Sequence, residues 1–160
     1  MLKMVILDSI GKHNGVKNLS EALERALRKN QMDCTCVDLT QLNLLPCYGC
    51  DGCLKQTPGK CVMKDDTVQF MTPLARTNGI IGMTDVRYGG YSADYKLVAD
   101  KFALMASPFY SMKDGKLLHR KRYSDYNAYY VVGLGTGLSE DETENFRLLV
   151  KRNAMNMSVD

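Results

Sequence analysis

The sequence lacks several features that would assign it to a particular class of protein. No run of about 18 apolar residues occurs, so no transmembrane helix is predicted. The net charge is only +3, which argues against nucleic-acid binding through bulk electrostatics. The only histidines, His13 and His119, are far apart in sequence. With no Ser/His/Asp set and no carboxylate pair, the sequence argues against a hydrolase.

The opening residues, MLKMVILDS, are too short and too soon acidic for a signal peptide. A cytoplasmic protein without a membrane partner is therefore expected, with free or metal-bound thiols rather than disulfides. The 160 residues are 45% apolar, and no internal repeat or interdomain linker stands out. A single domain over residues 1–160, large enough to bury a core, is predicted.

Four of the six cysteines fall in one short stretch, with the spacing C-x2-C-x2-C-x7-C: Cys47, Cys50, Cys53 and Cys61. Two-residue gaps let neighbouring thiolates converge on one point. Iron–sulfur clusters use such compact runs, whereas zinc sites more often pair one close couple with a second couple farther along. The spacing therefore favours iron–sulfur over zinc. A third interpretation needs no metal, and makes these cysteines small buried residues or redox-labile thiols in a pocket wall.

Short apolar runs alternate with helical patterns along the chain. Strands are predicted over 4–7, 34–39, 79–83 and 128–134, and helices over 19–30, 65–76, 93–105 and 139–155. Cys34 and Cys36 are expected to fill the second strand, and Met157 to Val159 leave room for only a minimal fifth strand. This order predicts an open parallel α/β sheet of four to five strands. Right-handed crossovers would place the first, third and fourth strand-to-helix loops at its carboxyl edge, where ligands bind.

Three motifs resemble the flavodoxin-like NADPH-dependent FMN reductase family, including its iron–sulfur flavoprotein branch. Residues 46–66 carry PCYGCDGC and PGKCVMKDD, which resemble the signature after the family's second strand. Residues 79–101, GIIGMTDVRYGGYSADYKLVADK, resemble its third strand, flavin loop and following helix. Residues 130–143, YVVGLGTGLSEDET, resemble its fourth strand and glycine loop. The resemblance implies a flavodoxin-like three-layer sandwich whose fifth strand is minimal or missing.

The resemblance also implies FMN, with its phosphate on the first loop and its ring between the third and fourth loops. The first loop opens a helix, whose free N–H groups and dipole suit a phosphate. Carried over by matching position, the phosphate contacts would be Ser9, Lys12, Asn14, Gly15, Lys17 and Asn18. The ring contacts would be Thr84, Val86, Arg87, Tyr88 and Gly89 from the third loop, and Gly133, Gly135, Thr136 and Gly137 from the fourth.

The function implied by the resemblance is electron transfer through FMN. NAD(P)H or a reduced carrier would supply electrons, and a small molecule or a protein would accept them. The four clustered cysteines would hold a [4Fe–4S] cluster beside the flavin. No side chain is assigned as a general acid or base. Family members form dimers or tetramers, so a homodimer or homotetramer is expected, with Tyr48, Tyr88 and Tyr91 at the contact.

The first and third loops depart from the family pattern. The first reads Asp8-Ser9-Ile10-Gly11 where the family usually has G-S-P-R, and the third has Asp85 where the family has proline. Asp8 adds a negative charge near the expected phosphate, and Lys12 and Lys17 would replace the usual arginine as point charges. The alternative function is therefore a degenerate module that has lost flavin and acts in binding or assembly.

Overall fold

The computed structural model describes residues 1–11, 18–113 and 115–159. Strands and helices alternate along the chain. The strands are β1 (Lys3–Asp8), β2 (Asp33–Asp38), β3 (Gly79–Arg87), β4 (Gly90–Tyr91), β5 (Ala106–Lys113), β6 (Lys116–Lys121) and β7 (Ala128–Leu134). The helices are α1 (Leu19–Lys29), α2 (Gly52–Lys55), α3 (Thr67–Leu74), α4 (Ala93–Ala99) and α5 (Glu140–Asn156), with 3-10 turns at Leu39–Gln41 and Asp100–Met105.

Four parallel strands form the central sheet in the order β2, β1, β3, β7. The chain passes from β1 to β2 on one side and later places β3 on the other side of β1. The strand order therefore reverses beside β1, as in doubly wound α/β proteins. This confirms the predicted parallel sheet. Met157 to Val159 form a turn with both end residues buried, and no strand follows α5 in the part of the chain that the structure describes.

Apolar side chains of the strands alternate between the two faces of the sheet and build a core on each. Ile6 of β1 joins the smaller cluster, against which the partly buried leucines of α1 pack. Val5 and Leu7 join the larger cluster, together with residues of α3, α4 and α5. Helices thus cover both faces of the sheet, which makes three layers.

The third strand is longer than predicted. It runs to Arg87, and β4 folds back against it with Val86 opposite Tyr91. Tyr88 and Gly89 connect the two strands with φ of 52° and 73°, as in a type I′ hairpin turn. The apolar run ends at Met83, so hydrophobicity alone does not mark the polar continuation of the strand. Three of the ring contacts predicted for the third loop, Thr84, Val86 and Arg87, therefore lie on β3 and not in a loop.

Two predicted helices are shorter in the structure. The helix expected over 65–76 spans Thr67–Leu74, and Pro73 removes one N–H donor from its last turn. The helix expected over 93–105 ends at Ala99 and continues as the 3-10 turn Asp100–Met105. Four of the six residues in that turn are buried, which a continuous amphipathic helix would not allow.

A hairpin of β5 and β6 occupies the polar stretch that follows. Phe109, Met112 and Leu117 of the hairpin are exposed. The α5 helix begins with a capping box, in which Ser139 and Glu142 exchange hydrogen bonds. None of the helices that the structure describes is long and apolar enough to cross a membrane.

Candidate functional site

The carboxyl ends of the parallel strands meet at one edge of the sheet. The strand register places Asp8 of β1 beside both Asp38 of β2 and Met83 of β3. It places Thr84 of β3 beside Gly133 of β7. The loops that follow β1, β3 and β7 therefore begin side by side at this edge, as the sequence predicted.

Three hydroxyl groups, those of Ser9, Thr84 and Ser92, tie the first loop to the third. Ser9 Oγ donates to the Met83 carbonyl at 2.8 Å and lies 3.0 Å from Ser92 Oγ. Ser92 Oγ is in turn 3.0 Å from Thr84 Oγ1, and the Ser92 N–H donates to that oxygen at 2.9 Å. Ser9 and Thr84 are both buried. Their hydroxyl groups hold the loops together and point into the protein.

The described part of the first loop is organised around the Asp8 carboxylate. Asp8 Oδ1 accepts the N–H groups of Ile10 at 2.9 Å and of Gly11 at 3.3 Å. These two N–H groups are therefore hydrogen-bonded to the protein's own carboxylate. Asn18 precedes α1 with φ of 72° and without a side-chain cap. Four predicted phosphate contacts lie outside the described residues: Lys12, Asn14, Gly15 and Lys17.

A cavity of about 210 Å³ next to this loop is acidic. Its lining includes four carboxylates, those of Asp8, Glu21, Glu24 and Asp38, together with Cys36. Partial burial of the Cys36 thiol and the charges of Asp8 and Glu24 raise its pKa to about 11. The described side chains on this flank of the edge therefore disfavour a phosphate.

The third-loop hairpin lies against the start of α5. A Cβ on Gly89 would lie 3.0 Å from Asn145 Cβ and 3.2 Å from the Glu142 carbonyl oxygen, so only glycine fits this approach. Tyr88 at the tip is 97% exposed. Beside it, the Arg87 guanidinium is 3.7 Å from the Asp85 carboxylate. The hairpin thus presents one aromatic ring and one cation on a rigid base.

The fourth loop packs directly on the hairpin. A Cβ on Gly133 would lie 2.7 Å from Cγ2 of the buried Val86, so the absence of a side chain lets the two loops touch. Gly135, Thr136 and Gly137 are exposed, which leaves their backbone groups open to a ligand. This flank of the edge has accessible backbone and an exposed aromatic ring beside one cation, and it fits a flat polar ring system.

Tyr91 does not lie at the surface with Tyr48 and Tyr88, so its prediction as a residue of the contact between copies is wrong. Its side chain is buried, and its hydroxyl lies 3.3 Å from that of Tyr129 and accepts from Asn153 at 2.9 Å. The antiparallel pairing of β4 with β3 directs Tyr91 inward, which the sequence pattern did not reveal. Tyr48 remains exposed.

The four clustered cysteines occupy one loop beside the larger core. Cys47 and Cys50 are exposed, whereas Cys53 and Cys61 are partly buried. Burial raises the pKa of Cys53, and so do the neighbouring thiols of Cys47, Cys61 and Cys50. No three Cys, His, Asp or Glu residues within the described ranges form a group that could hold a metal ion.

A buried ion pair anchors the end of the cysteine loop. Lys101 Nζ donates to the Asp65 carboxylate and, at 2.7 Å, to Thr67 Oγ1. Asp65 also accepts the Leu45 N–H at 2.9 Å. Burial acts to raise the pKa of Asp65, but these hydrogen bonds hold it at about 2. Sequence reasoning missed this pair, although both residues fall within the motifs that resemble the family.

A second cation also meets the cysteine loop. Arg122 Nη2 donates to the Cys53 carbonyl at 3.4 Å. Its Nε is buried and has no hydrogen-bond partner among the residues that the structure describes. This contact joins residues 69 apart in the chain, so local sequence patterns do not indicate it.

The strand order and the three converging loops define a flavodoxin-like α/β protein. The chain belongs to the NADPH-dependent FMN reductase family, whose model matches residues 1–138. This confirms the family resemblance of the three sequence motifs.

Two curated proteins match part of the chain. An iron–sulfur flavoprotein of Methanocaldococcus jannaschii is 32% identical over 81 residues, covering 51% of this chain and 40% of that protein. An iron–sulfur flavoprotein of Archaeoglobus fulgidus is 36% identical over 72 residues, covering 45% of this chain and 36% of that protein. The chain therefore spans less than half the length of these relatives.

Two solved structures have the same fold at low identity. An azoreductase from Bacillus anthracis is 10% identical with a TM-score of 0.64, covering 100% of this chain and 83% of that one. The apo form of an NADH:FMN oxidoreductase is 15% identical with a TM-score of 0.58, covering 99% of this chain and 71% of that one. The predicted flavodoxin-like fold class is thereby confirmed.

Proposed function

We propose that this protein is an oxidoreductase that binds FMN at the carboxyl edge of the sheet. It takes electrons from NAD(P)H or a reduced carrier and passes them to a small-molecule or protein acceptor. Family membership supports this assignment. The observation that carries it is the hairpin of residues 84–92, held between the first loop and α5 beside the point where strand order reverses. FMN, when bound, supplies the redox chemistry, and the protein supplies binding, orientation and electrostatics.

The ring side of the proposed site is built by the third and fourth loops. Tyr88 and Arg87 would contact the flavin from the hairpin, and the exposed backbone of residues 133–137 would donate and accept hydrogen bonds. Val86 and Thr84 are buried, so we assign them to supporting these loops. On the phosphate side, Lys12 and Lys17 are the cations that would offset the carboxylates.

The packing of Gly89 on α5 provides a direct test of the ring side. Gly89 and Gly115 have nearly the same φ, 73° and 72°, but only Gly89 is closely packed, whereas nothing lies within 4 Å of a Cβ on Gly115. Gly89→Ala should weaken FMN binding by about tenfold or more, since it pushes the hairpin off α5. Gly115→Ala carries the same backbone strain and should leave FMN binding unchanged.

FMN binding is measured by quenching of flavin fluorescence and by the rise in melting temperature at saturating FMN. NADH and NADPH oxidation with FMN present then tests the reductase activity. Equal FMN affinity in the two glycine variants would show that the hairpin is not part of the FMN site. A wild-type protein that neither quenches FMN nor gains stability from it would refute the flavin proposal.

We further propose that Cys47, Cys50, Cys53 and Cys61 can hold a [4Fe–4S] cluster, whose chemistry is relay of single electrons. The compact spacing supports this, and the Arg122 guanidinium adds positive charge beside Cys53. No three of the described Cys, His, Asp or Glu side chains are grouped as metal ligands, so cluster formation must rearrange the exposed Cys47 and Cys50.

Anaerobic reconstitution tests this cluster. Wild-type protein should take up about four irons per chain with matching sulfide, and Cys50→Ala should lose most of them. Cys36→Ala, on β2, is the matched control and should retain the iron. Iron uptake that is equal in all three proteins, or absent from the wild type, would contradict the proposal while leaving FMN binding unaffected.

A flavin-free binding module is the second candidate function. The observation that favours it is the Asp8 carboxylate, which occupies two N–H groups of the first loop beside an acidic cavity. A purified protein without yellow colour, combined with failure of both wild type and Asp8→Asn to bind FMN, would support the module.

We propose that the protein self-associates as a homodimer or homotetramer through the exposed Tyr48 and Tyr88. Aromatic side chains exposed near a ligand edge are typical of protein contacts. Light scattering should give a multiple of the chain mass, and Tyr88→Ser should shift it towards the monomer. A monomer at all concentrations would overturn this assembly.

A further inference from the structure

A second cavity lies beside β7. It has a volume of about 620 Å³, is partly open to solvent, and is lined by α5, β7 and the hairpin of β5 and β6. This volume falls within the range of small-molecule sites, about 300–1,000 Å³. None of the residues assigned to the flavin or to the cysteine cluster lines it.

The floor of this cavity is apolar. Leu118 comes from the hairpin, Tyr129 and Val131 from β7, and Phe146 and Val150 from α5. Most of these side chains also belong to the larger core or pack against it, so the floor is preformed. An apolar body placed here would be removed from water on several sides, which is favourable.

The rim of this cavity is positively charged. Arg147 and Lys151 lie four residues apart on α5 and therefore share one face of the helix. Lys116 approaches from the hairpin, and its Nζ lies 3.1 Å from the Met155 sulfur of α5. Lys113 also lines the rim. None of the described lining residues carries a carboxylate. Among the residues that the structure describes, neither Arg147 nor Lys151 forms an ion pair.

This arrangement is costly for the protein alone, because like charges four residues apart on a helix repel each other. An anion between them would relieve the repulsion. We infer that the cavity binds a small organic anion, a carboxylate or sulfonate whose aliphatic or aromatic body fills the apolar floor. The anionic group lies between Arg147 and Lys151, with Lys116 closing the mouth from the hairpin side.

The test compares octanoate with octanol, which share an apolar chain and differ in charge. By isothermal titration calorimetry, octanoate should bind the wild-type protein about tenfold or more tightly than octanol. The double variant Arg147→Gln/Lys151→Gln should lose about that factor for octanoate and leave octanol unchanged. The control double variant, Arg25→Gln/Lys29→Gln, removes two cations at the same spacing from α1 and should bind octanoate as the wild type does.

A variant that fills the cavity tests its apolar floor. Val150→Phe should weaken octanoate and octanol together while the protein still melts cooperatively. Equal affinity for octanoate and octanol would overturn the proposal and leave a plain apolar surface. Equal losses of octanoate affinity in the two double variants would show that the binding depends on the net charge of the protein and not on this cavity. Absence of octanoate binding to the wild-type protein would also overturn the proposal.

Discussion

The carboxylates of two buried aspartates, Asp65 and Asp8, are stabilised by different kinds of partner. Asp65, below the cysteine loop, pairs with Lys101 and accepts several hydrogen bonds. Asp8, at the end of β1, accepts only backbone N–H groups among the hydrogen bonds that the structure describes. Removing the cationic partner of a buried carboxylate destabilises the fold. A carboxylate that accepts only backbone N–H groups instead occupies donors that an anionic ligand could otherwise use. The first aspartate therefore matters for stability and the second for affinity.

Removing the cation should have the largest effect. Lys101→Met leaves the fully buried Asp65 carboxylate without its countercharge and should lower the free energy of unfolding by about 3 kcal/mol. Urea denaturation measures this loss. Adding Asp65→Asn to the same variant keeps the N–H acceptors without the charge and should recover most of the stability. A double variant as unstable as the single one would show that the loss comes from packing.

The pH dependence of stability is the next largest effect. The pKa of Asp65 is about 2, below its unfolded value of about 3.9, so the unfolded chain binds more protons between these values. Asp65 therefore stabilises the fold above about pH 4, and roughly 2 kcal/mol is lost as the pH falls towards 2. Urea midpoints measured across this window should fall more steeply for wild type than for Asp65→Asn. Parallel profiles would assign the acid sensitivity to other carboxylates.

Removing the Asp8 charge should act on ligand affinity. Asp8→Asn retains an oxygen that accepts the Ile10 and Gly11 N–H groups, so the fold should be unchanged. FMN affinity should rise about tenfold because one negative charge near the phosphate is lost. Riboflavin, which lacks the phosphate, is the control ligand and should bind both proteins equally. A rise in affinity for both FMN and riboflavin would show that the Asp8 charge acts on the flavin ring and not on the phosphate.

The smallest effect on stability should come from removing the Thr67 hydroxyl, the second hydrogen-bond acceptor of Lys101. Thr67→Val removes the hydroxyl that accepts from Lys101 at 2.7 Å and should cost about 1 kcal/mol. Thr72→Val on the exposed side of α3 is the matched control, since its hydroxyl bonds only to the Val68 carbonyl of its own helix. Equal losses in the two variants would mean that the buried hydroxyl contributes nothing special.

Much of the fold follows from local patterns in the sequence. The apolar runs of β1 and β7 predict strands because short continuous hydrophobic runs are typical of parallel sheets, although Tyr130 and Val132 leave one face of β7 exposed. Ser139 and Glu142 predict the start of α5 because a capping box depends on residues three apart. The limits of β3 and α4 were missed, since polar strand ends and a change to 3-10 geometry depend on distant contacts.

The amino-acid sequence by itself determined the chain order of the four parallel strands and the four longer helices, the three-loop edge and the close spacing of the four cysteines. These depend on periodicity, capping and residue spacing, which act over a few positions of the chain. Only the tertiary structure decided that Lys101 meets Asp65 across 36 residues, that Tyr91 turns inward, and that α5 and the β5–β6 hairpin line a cationic cavity. Such contacts join separate elements, and their partners are fixed by how the elements pack together.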